Sequence, residues 1–478
     1  MFKKLLSGLF WVLLLNLLIK PFWILGIEVG VQNAVGVAEY GLYITIFNLA
    51  YIFNILLDIG VTNFNTRNIA QHPKLIQKHL SGILSIKLVL LLLYVVVTFT
   101  VGLLKGYDSR QFGLLALLSL NQFLNSLILY LRSNFEGLLL FRWDSVISIL
   151  DRVVMIAICG ALLWMPNHPT FRIEYFVYAQ TIAYVTTAVV ALLVLLRRVG
   201  FRRLHFSLHF TWVILKQSMP FALLVLLMAS YNRIDPILLE DLAPQGRLQA
   251  GIYAGAFRLL DALTMVAYLV SVPLLPIFSK MTTKAEASDE LGKTVQWITS
   301  LMLVFSVSAA VVCAVMADDL MAVLYRENIE DYASVFSVLV FGIIPISMTY
   351  VFGTLLTAAG RLRWLNILAT ITLVINVLVN VVSIPYLGAV GSAWASLSAQ
   401  TFMAVTQMVV ALKIFNIHLG VRYIIKIILF ALLIVAFACF MPSWPWLLKL
   451  VVAVLYAIAM ALMLKLIDVK LIVAELKK

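Results

Sequence analysis

Charge is what this 478-residue sequence has least of: 12 % of its residues are Asp, Glu, Lys or Arg, against 63 % that are hydrophobic. A soluble globule carries about 25 % charged and 45 to 50 % apolar residues, so the composition excludes one and predicts a polytopic membrane protein. Cysteine is nearly absent. Cys159, Cys313 and Cys439 fall far apart inside apolar runs, without histidine neighbours, which suits packing and excludes a disulfide framework or a thiolate metal site. All six histidines lie in predicted loops, and no metal site is expected. There is no G-x-x-x-x-G-K-[ST] loop to cradle a nucleotide. No catalytic residue and no cofactor are expected.

What fills the chain is long apolar runs. Windows of 18 or more mostly apolar residues, each enough for a core about 30 Å thick, predict spans near residues 9–31, 40–64, 80–104, 110–134, 143–164, 174–196, 215–239, 251–278, 295–316, 334–358, 365–385, 389–415, 424–442 and 444–464. The start, Met1-Phe-Lys3-Lys4, resembles a signal peptide but shows no small-residue cleavage site, and it reads as a retained first helix. Pro21-Phe22 recurs as Pro220-Phe221, Tyr43 as Tyr253, and Arg142-Trp143 as Arg363-Trp364. Six spans separate each match, which predicts parallel repeats. The expected fold is an all-α membrane protein of about 14 transmembrane helices. It divides into an N-lobe at 1–200 (helices 1–6), a C-lobe at 210–415 (helices 7–12), and 420–478 (helices 13–14 and a cytoplasmic tail).

The net charge of +13 raises the question of a nucleic-acid partner, and sorting the basic residues by side removes it. Of the 35 Lys and Arg residues, 24 fall in the loops on the amino-terminal side and 6 in the opposite loops. That bias places both termini in the cytoplasm. One cytoplasmic run, Arg197-Arg198-Val-Gly-Phe-Arg202-Arg203, is a topology signal suited to anionic lipid.

The remaining 5 basic residues, Lys20, Lys87, Arg152, Arg233 and Arg258, lie within predicted spans and are balanced by Glu28, Asp58, Asp151, Asp235 and Asp261. A charge at such depth costs roughly 2.5 to 3.5 kcal/mol on the mildest scales and normally faces a bundle interior or a water-filled path. The stretch 220–280 is richest in them. Arg258 and Asp261, three apart, share a helix face near mid-membrane, as ligands or as a structural ion pair. Arg233 and Asp235 lie in the outer part of their helix, facing a path or the headgroups. Lys20, beside Pro21 near the midplane, is a ligand candidate or the partner of Asp58 or Asp151. Lys87, about 12 Å into its span, is expected to snorkel. Asn48 belongs to a polar stripe with Arg67 at its cytoplasmic mouth. Asn121 and Asn125, like Asn376 and Asn380, are four apart on one face, which for span four suits interhelical hydrogen bonding.

Further residues form a set: Tyr40-Gly41-Leu-Tyr43 with Leu57-Asp58-Ile-Gly60, Pro220-Phe221 with Asp235, Gly251-Ile-Tyr253-Ala with Phe257-Arg258-Leu, Pro273 to Ser279, Leu324-Tyr325, Ala358-Ala-Gly360, and Asn376 through Asn380 to Ile384-Pro385 and Gly388-Ala-Val-Gly391-Ser-Ala. By this set the chain resembles the polysaccharide-transporter branch of the multidrug/oligosaccharidyl-lipid/polysaccharide exporter superfamily, which includes the Wzx-like O-antigen flippases and the peptidoglycan-precursor flippases. The resemblance implies a transporter, not an enzyme, that moves an undecaprenyl-pyrophosphate-linked oligosaccharide between leaflets by alternating access. It implies a bacterial inner membrane and a role in O-antigen, lipopolysaccharide or other surface polysaccharide assembly. By analogy Lys20, Arg152, Arg233 and Arg258 take the pyrophosphate, and Asp58, Asp151, Asp235 and Asp261 serve as coupling or pairing acids. Arg67, Asn48, Asn121, Asn125, Asn376 and Asn380 form secondary polar lining. The partners to be expected are the lipid-linked substrate, membrane lipids, a polymerase with chain-length machinery, and H+ or Na+ as coupling ion. Two other readings stand beside it: a cation-coupled multidrug antiporter, which would favour unpaired acids, and a membrane polysaccharide polymerase, which would need a longer outer loop.

Overall fold

Backbone groups that lipid leaves without water must bond within their own segment, so apolar runs of this length fold as helices. A computed structural model describes residues 19, 21–62, 65, 69, 76–138, 140–164, 171–199, 222–271, 274–282, 288–441 and 445–466, and every regular element among them is helical. A π-helical segment, Trp23–Glu28, leads into α1 (Val29–Val35) and α2 (Val37–Ile52), which ends in a 3-10 turn at Phe53–Leu57. Then come α3 (Ile76–Leu104), α4 (Ser109–Gly137), α5 (Phe141–Trp164), α6 (Ile173–Val199), α7 (Ala222–Arg233) and α8 (Asp235–Leu242). The rest comprises α9 (Gly246–Ser271), α10 (Leu274–Thr282), α11 (Ser288–Val315), α12 (Ala317–Leu324), α13 (Ile329–Leu339), α14 (Ile343–Ala358), α15 (Leu362–Ile414), α16 (Val421–Cys439) and α17 (Trp446–Met463).

Among the described residues, 11 helices are long and apolar enough to cross a membrane, or up to 12 if α7 and α8, bent by 46°, form one span. This is a multi-pass membrane protein, and the expected count of 14 is not reached within those residues. Much of the expected first span, 9–31, lies outside them. Two further expected spans, 365–385 and 389–415, form the single 53-residue element α15. At 1.5 Å per residue it would run about 80 Å, far more than a bilayer needs. Gly388 breaks it at φ 55° and ψ −130°, three residues after Pro385, in a left-handed conformation that costs a residue with a Cβ. Across the break the chain doubles back on itself. Ser383 Oγ donates to the Gly391 carbonyl at 3.0 Å, Ser392 Oγ to Asn380 Oδ1 at 2.8 Å, and Thr372 meets Met403 Sδ at 3.4 Å. α15 therefore supplies two antiparallel crossings.

The chain forms two compact units: Met1–Asp241 with Gln245–Gly251, and Leu242–Pro244 with Ile252–Lys478. The division expected from the internal echo, 1–200, 210–415 and 420–478, concerns repeats and stays a proposal. In the first unit, Leu80, Ile83 and Ile86 of α3 pack with Leu131 and Phe135 of α4 and Ala191 and Leu195 of α6. The start of α9 crosses α2 backbone to backbone. A Cβ at Gly41 would lie 1.8 Å from the Arg247 carbonyl oxygen, and one at Gly251 would lie 2.1 Å from that of Val37. Gln32 Nε2 donates to the Gly251 carbonyl at 2.9 Å beside this crossing. In the second unit, Val304, Val307 and Val311 of α11 receive Phe430 and Ile434 of α16 and Ala457 and Ala461 of α17. The small residues replace a hydrophobic drive that lipid does not supply.

Candidate functional site

Among the described residues, three arginines within the spans have an aromatic residue beside them: Arg152 beside Trp23, Arg233 beside Tyr51 and Arg258 beside Tyr325. In the first unit, α5 presents Asp151 and Arg152. The Arg152 guanidinium lies 5.3 Å over the Trp23 ring, and its Nε is 3.6 Å from Asp151 Oδ2. Glu28, Tyr43 and Tyr184 stand within electrostatic reach. Trp23 is fixed from two sides: its Nε1 donates to Glu28 Oε1 at 2.9 Å, and its ring stacks on Phe176 at 5.9 Å. Phe176 meets Tyr43 edge-on, and the Tyr43 hydroxyl accepts from Gln180 Nε2 at 2.7 Å. Arg233, at the end of α7, lies 5.3 Å over the Tyr51 ring. Asp235 opens α8, fully buried; the Thr45 hydroxyl lies 3.0 Å from the Gly41 carbonyl and 3.2 Å from that of Pro236, the residue after Asp235.

Lys87 corrects the expectation that it snorkels. It is 1 % exposed, and its ammonium donates to Asp58 Oδ1 at 3.0 Å, to Ser126 Oγ at 2.8 Å and to the Leu57 carbonyl at 3.1 Å. The reason is local. The 3-10 turn after α2 leads into Ile59, whose φ is 41°, and brings Asp58 and the Leu57 carbonyl up to α3. Depth counted along a helix says nothing of such a partner. In this structure Asp58 is paired with Lys87.

In the second unit, Arg258 of α9 is 5 % exposed and donates from Nη1 to the Tyr325 hydroxyl at 2.7 Å. That hydroxyl donates on to the Gly255 carbonyl at 3.1 Å, while the Tyr325 ring stacks on Tyr332 at 4.0 Å. Asp261 is half-buried one turn further along α9.

Of the polar lining, Asn48 and Asn121 are buried and Asn125 is half-buried, all in the first unit. Asn376 and Asn380 are fully buried in the second unit, where Asn380 Nδ2 donates to the Asn376 carbonyl at 2.9 Å. Together with Ser392 they brace the reversal of α15. Lys20 and Arg67 lie outside the described residues. The aromatic partners Trp23, Tyr51 and Tyr325 were not assigned from the sequence. A signal was present, since a Trp or Tyr within a span carries an N–H or O–H that seeks a partner.

Such an arrangement has a chemical use. A guanidinium stacked on a ring is engaged through its face, and its edge is the part that matches a phosphate in two parallel hydrogen bonds. Aromatic support keeps an arginine in the membrane without relying wholly on a carboxylate, which would compete with an anion.

A family model described as polysaccharide biosynthesis protein matches residues 5–282, more than half of the chain. No curated protein sequence matches it. Among solved structures the chain is similar to the lipid II flippase MurJ in an inward closed conformation, at 13 % identity and TM-score 0.70, with 99 % of each chain covered. It is similar to an inward-facing multidrug resistance MATE family transporter of the MOP superfamily, at 14 % identity and TM-score 0.64, covering 82 % of this chain and 94 % of that one. A third is a MOP superfamily transporter from Pyrococcus furiosus, described as having a binding pocket of reverse polarity that suggests a different function. The match has 13 % identity and TM-score 0.57, covering 87 % of this chain and 94 % of that one. At such identities the likeness establishes the fold, and that fold is the MOP-type transporter fold.

Proposed function

The chain belongs to the polysaccharide biosynthesis protein family, and from that premise we propose that it is a flippase. It carries an undecaprenyl-pyrophosphate-linked oligosaccharide from the inner to the outer leaflet of a bacterial inner membrane, with both termini cytoplasmic. The product feeds the assembly of a surface polysaccharide such as an O-antigen, together with a polymerase and chain-length machinery.

A pyrophosphate cannot enter hydrocarbon without something that replaces its water. Lys20, Arg152, Arg233 and Arg258 supply that replacement, and the polyprenyl tail stays in lipid. Asp151, Asp235 and Asp261 neutralise the path when it holds no substrate and take up H+ or Na+ as the diphosphate displaces them. The observation that carries this reading is that three arginines within spans are each held by an aromatic group: Arg152 by Trp23, Arg233 by Tyr51 and Arg258 by Tyr325. Guanidinium groups placed in this way favour an anionic head over an organic cation. The antiporter reading keeps the support of the MATE-like fold and of the fully buried Asp235, and it predicts export of cationic dyes.

The test is surface display of the glycan in cells carrying Arg258→Ala or Lys20→Ala. Each abolishes display while the protein still inserts. Normal display from both variants would exclude these side chains as substrate ligands.

A further inference from the structure

Arg198 stands where its surroundings point to a ligand outside the proposed path. It closes α6 together with Arg197, and its guanidinium lies 5.8 Å over the Trp143 ring. It borders a cavity of about 620 Å³ formed with Gln77 at the start of α3 and Leu138 and Leu140 just beyond α4. Further along the same three helices, α3, α4 and α6, lies a second cavity of about 360 Å³, walled by Leu88, Phe123, Leu127, Leu192 and Leu196. Leu192 precedes Arg198 by six residues, or about 9 Å of helix. Leu88 is 49 % exposed, so the slot opens sideways toward lipid. Lys87 also borders it, but its ammonium is turned to Asp58, and the slot is left otherwise apolar.

We propose that this seam binds one anionic phospholipid of the surrounding membrane. Its phosphate rests on Arg198, and one acyl chain lies in the leucine-walled slot. The two cavities divide the chemistry of such a molecule between them. An apolar slot alone would take any lipid tail. A planar guanidinium in the last turn of α6, backed by a tryptophan, adds selection for a phosphate bearing net negative charge. Basic pockets between helices on the cytoplasmic side hold anionic headgroups in this way. The site is separate from the arginines assigned to the substrate and stands whether or not the chain carries a lipid-linked glycan.

The test is native mass spectrometry of the purified full-length chain with phosphatidylglycerol or phosphatidylcholine at equal concentration. The wild type retains phosphatidylglycerol about fivefold better, and Arg198→Gln brings the two lipids to near parity. Leu127→Trp, which fills the slot, lowers retention of both lipids and leaves the melting temperature close to that of the wild type. Equal retention of the two lipids by the wild type would overturn the proposal, as would an undiminished preference in Arg198→Gln. Displacement of phosphatidylglycerol by undecaprenyl diphosphate at equal concentration would reassign the seam to the substrate and overturn it too.

Discussion

Replacing Asp58 by Asn removes the carboxylate that Lys87 faces and leaves an ammonium, 1 % exposed, on two neutral oxygens: the Leu57 carbonyl and Ser126 Oγ. Stripping one partner from a buried ion pair costs about 3 to 5 kcal/mol. Lys87→Met strands the other charge, but the Asp58 side chain keeps 24 % of its surface exposed and is also bonded by the Thr62 hydroxyl and backbone N–H. Its cost is therefore smaller, about 1 to 2 kcal/mol. The double variant carries neither charge, and Met fills much of the volume of the lysine stem. Replacing a buried pair by apolar groups of similar shape is often neutral. The double variant should thus lie within about 1 kcal/mol of the wild type, far below the sum of the single costs. Unfolding free energies of all four proteins in mixed micelles check the order: Asp58→Asn worst, then Lys87→Met, then the double. Simple addition of the two single costs would show that the pair carries no interaction, and the account of Lys87 as locked rather than snorkelling would fail.

Other substitutions probe the helix crossings and the Arg258 cluster. Gly41→Ala places a methyl 1.8 Å from the Arg247 carbonyl oxygen and should cost about 1 to 3 kcal/mol of overpacking. Gly113→Ala, with open space around it, should be neutral or stabilising by up to about 1 kcal/mol; thermal melting compares the two. Tyr325→Phe removes the hydroxyl between Arg258 and the Gly255 carbonyl and should cost about 1.5 to 3 kcal/mol, the range for hydrogen bonds to charged groups. Asn380→Ala unties Asn376 and Ser392 at the reversal of α15 and should cost about 1 to 3 kcal/mol. Chemical denaturation reads both.

Much of the fold was legible because a bilayer makes narrow demands. Roughly 20 apolar residues are needed to cross it, so hydropathy alone finds spans such as α3, α16 and α17. The stretch Pro385-Tyr-Leu-Gly388 marks where two of them reverse. The pairing of charges was not legible. Asp58 and Lys87 are 29 residues apart on different elements, and a 3-10 turn that no periodicity announces brings them together. Arg152 and Trp23 come from α5 and the π-helical segment, and nothing along the chain links them. Depth along a helix, read from spacing, shows that a charge is inside the membrane. It does not show which neighbour receives it. Asn376 and Asn380 show the same limit: their shared face was legible, whereas the bond that Ser392 makes to Asn380 across the reversal was not.

The most direct test of flippase action is to delete the protein and determine the leaflet on which lipid-linked oligosaccharide accumulates. Complete units that collect on the inner leaflet, protected from a membrane-impermeant probe added outside, are the predicted result. Units or incomplete polymers that label from outside in the deletion strain would contradict it and place the protein after the crossing.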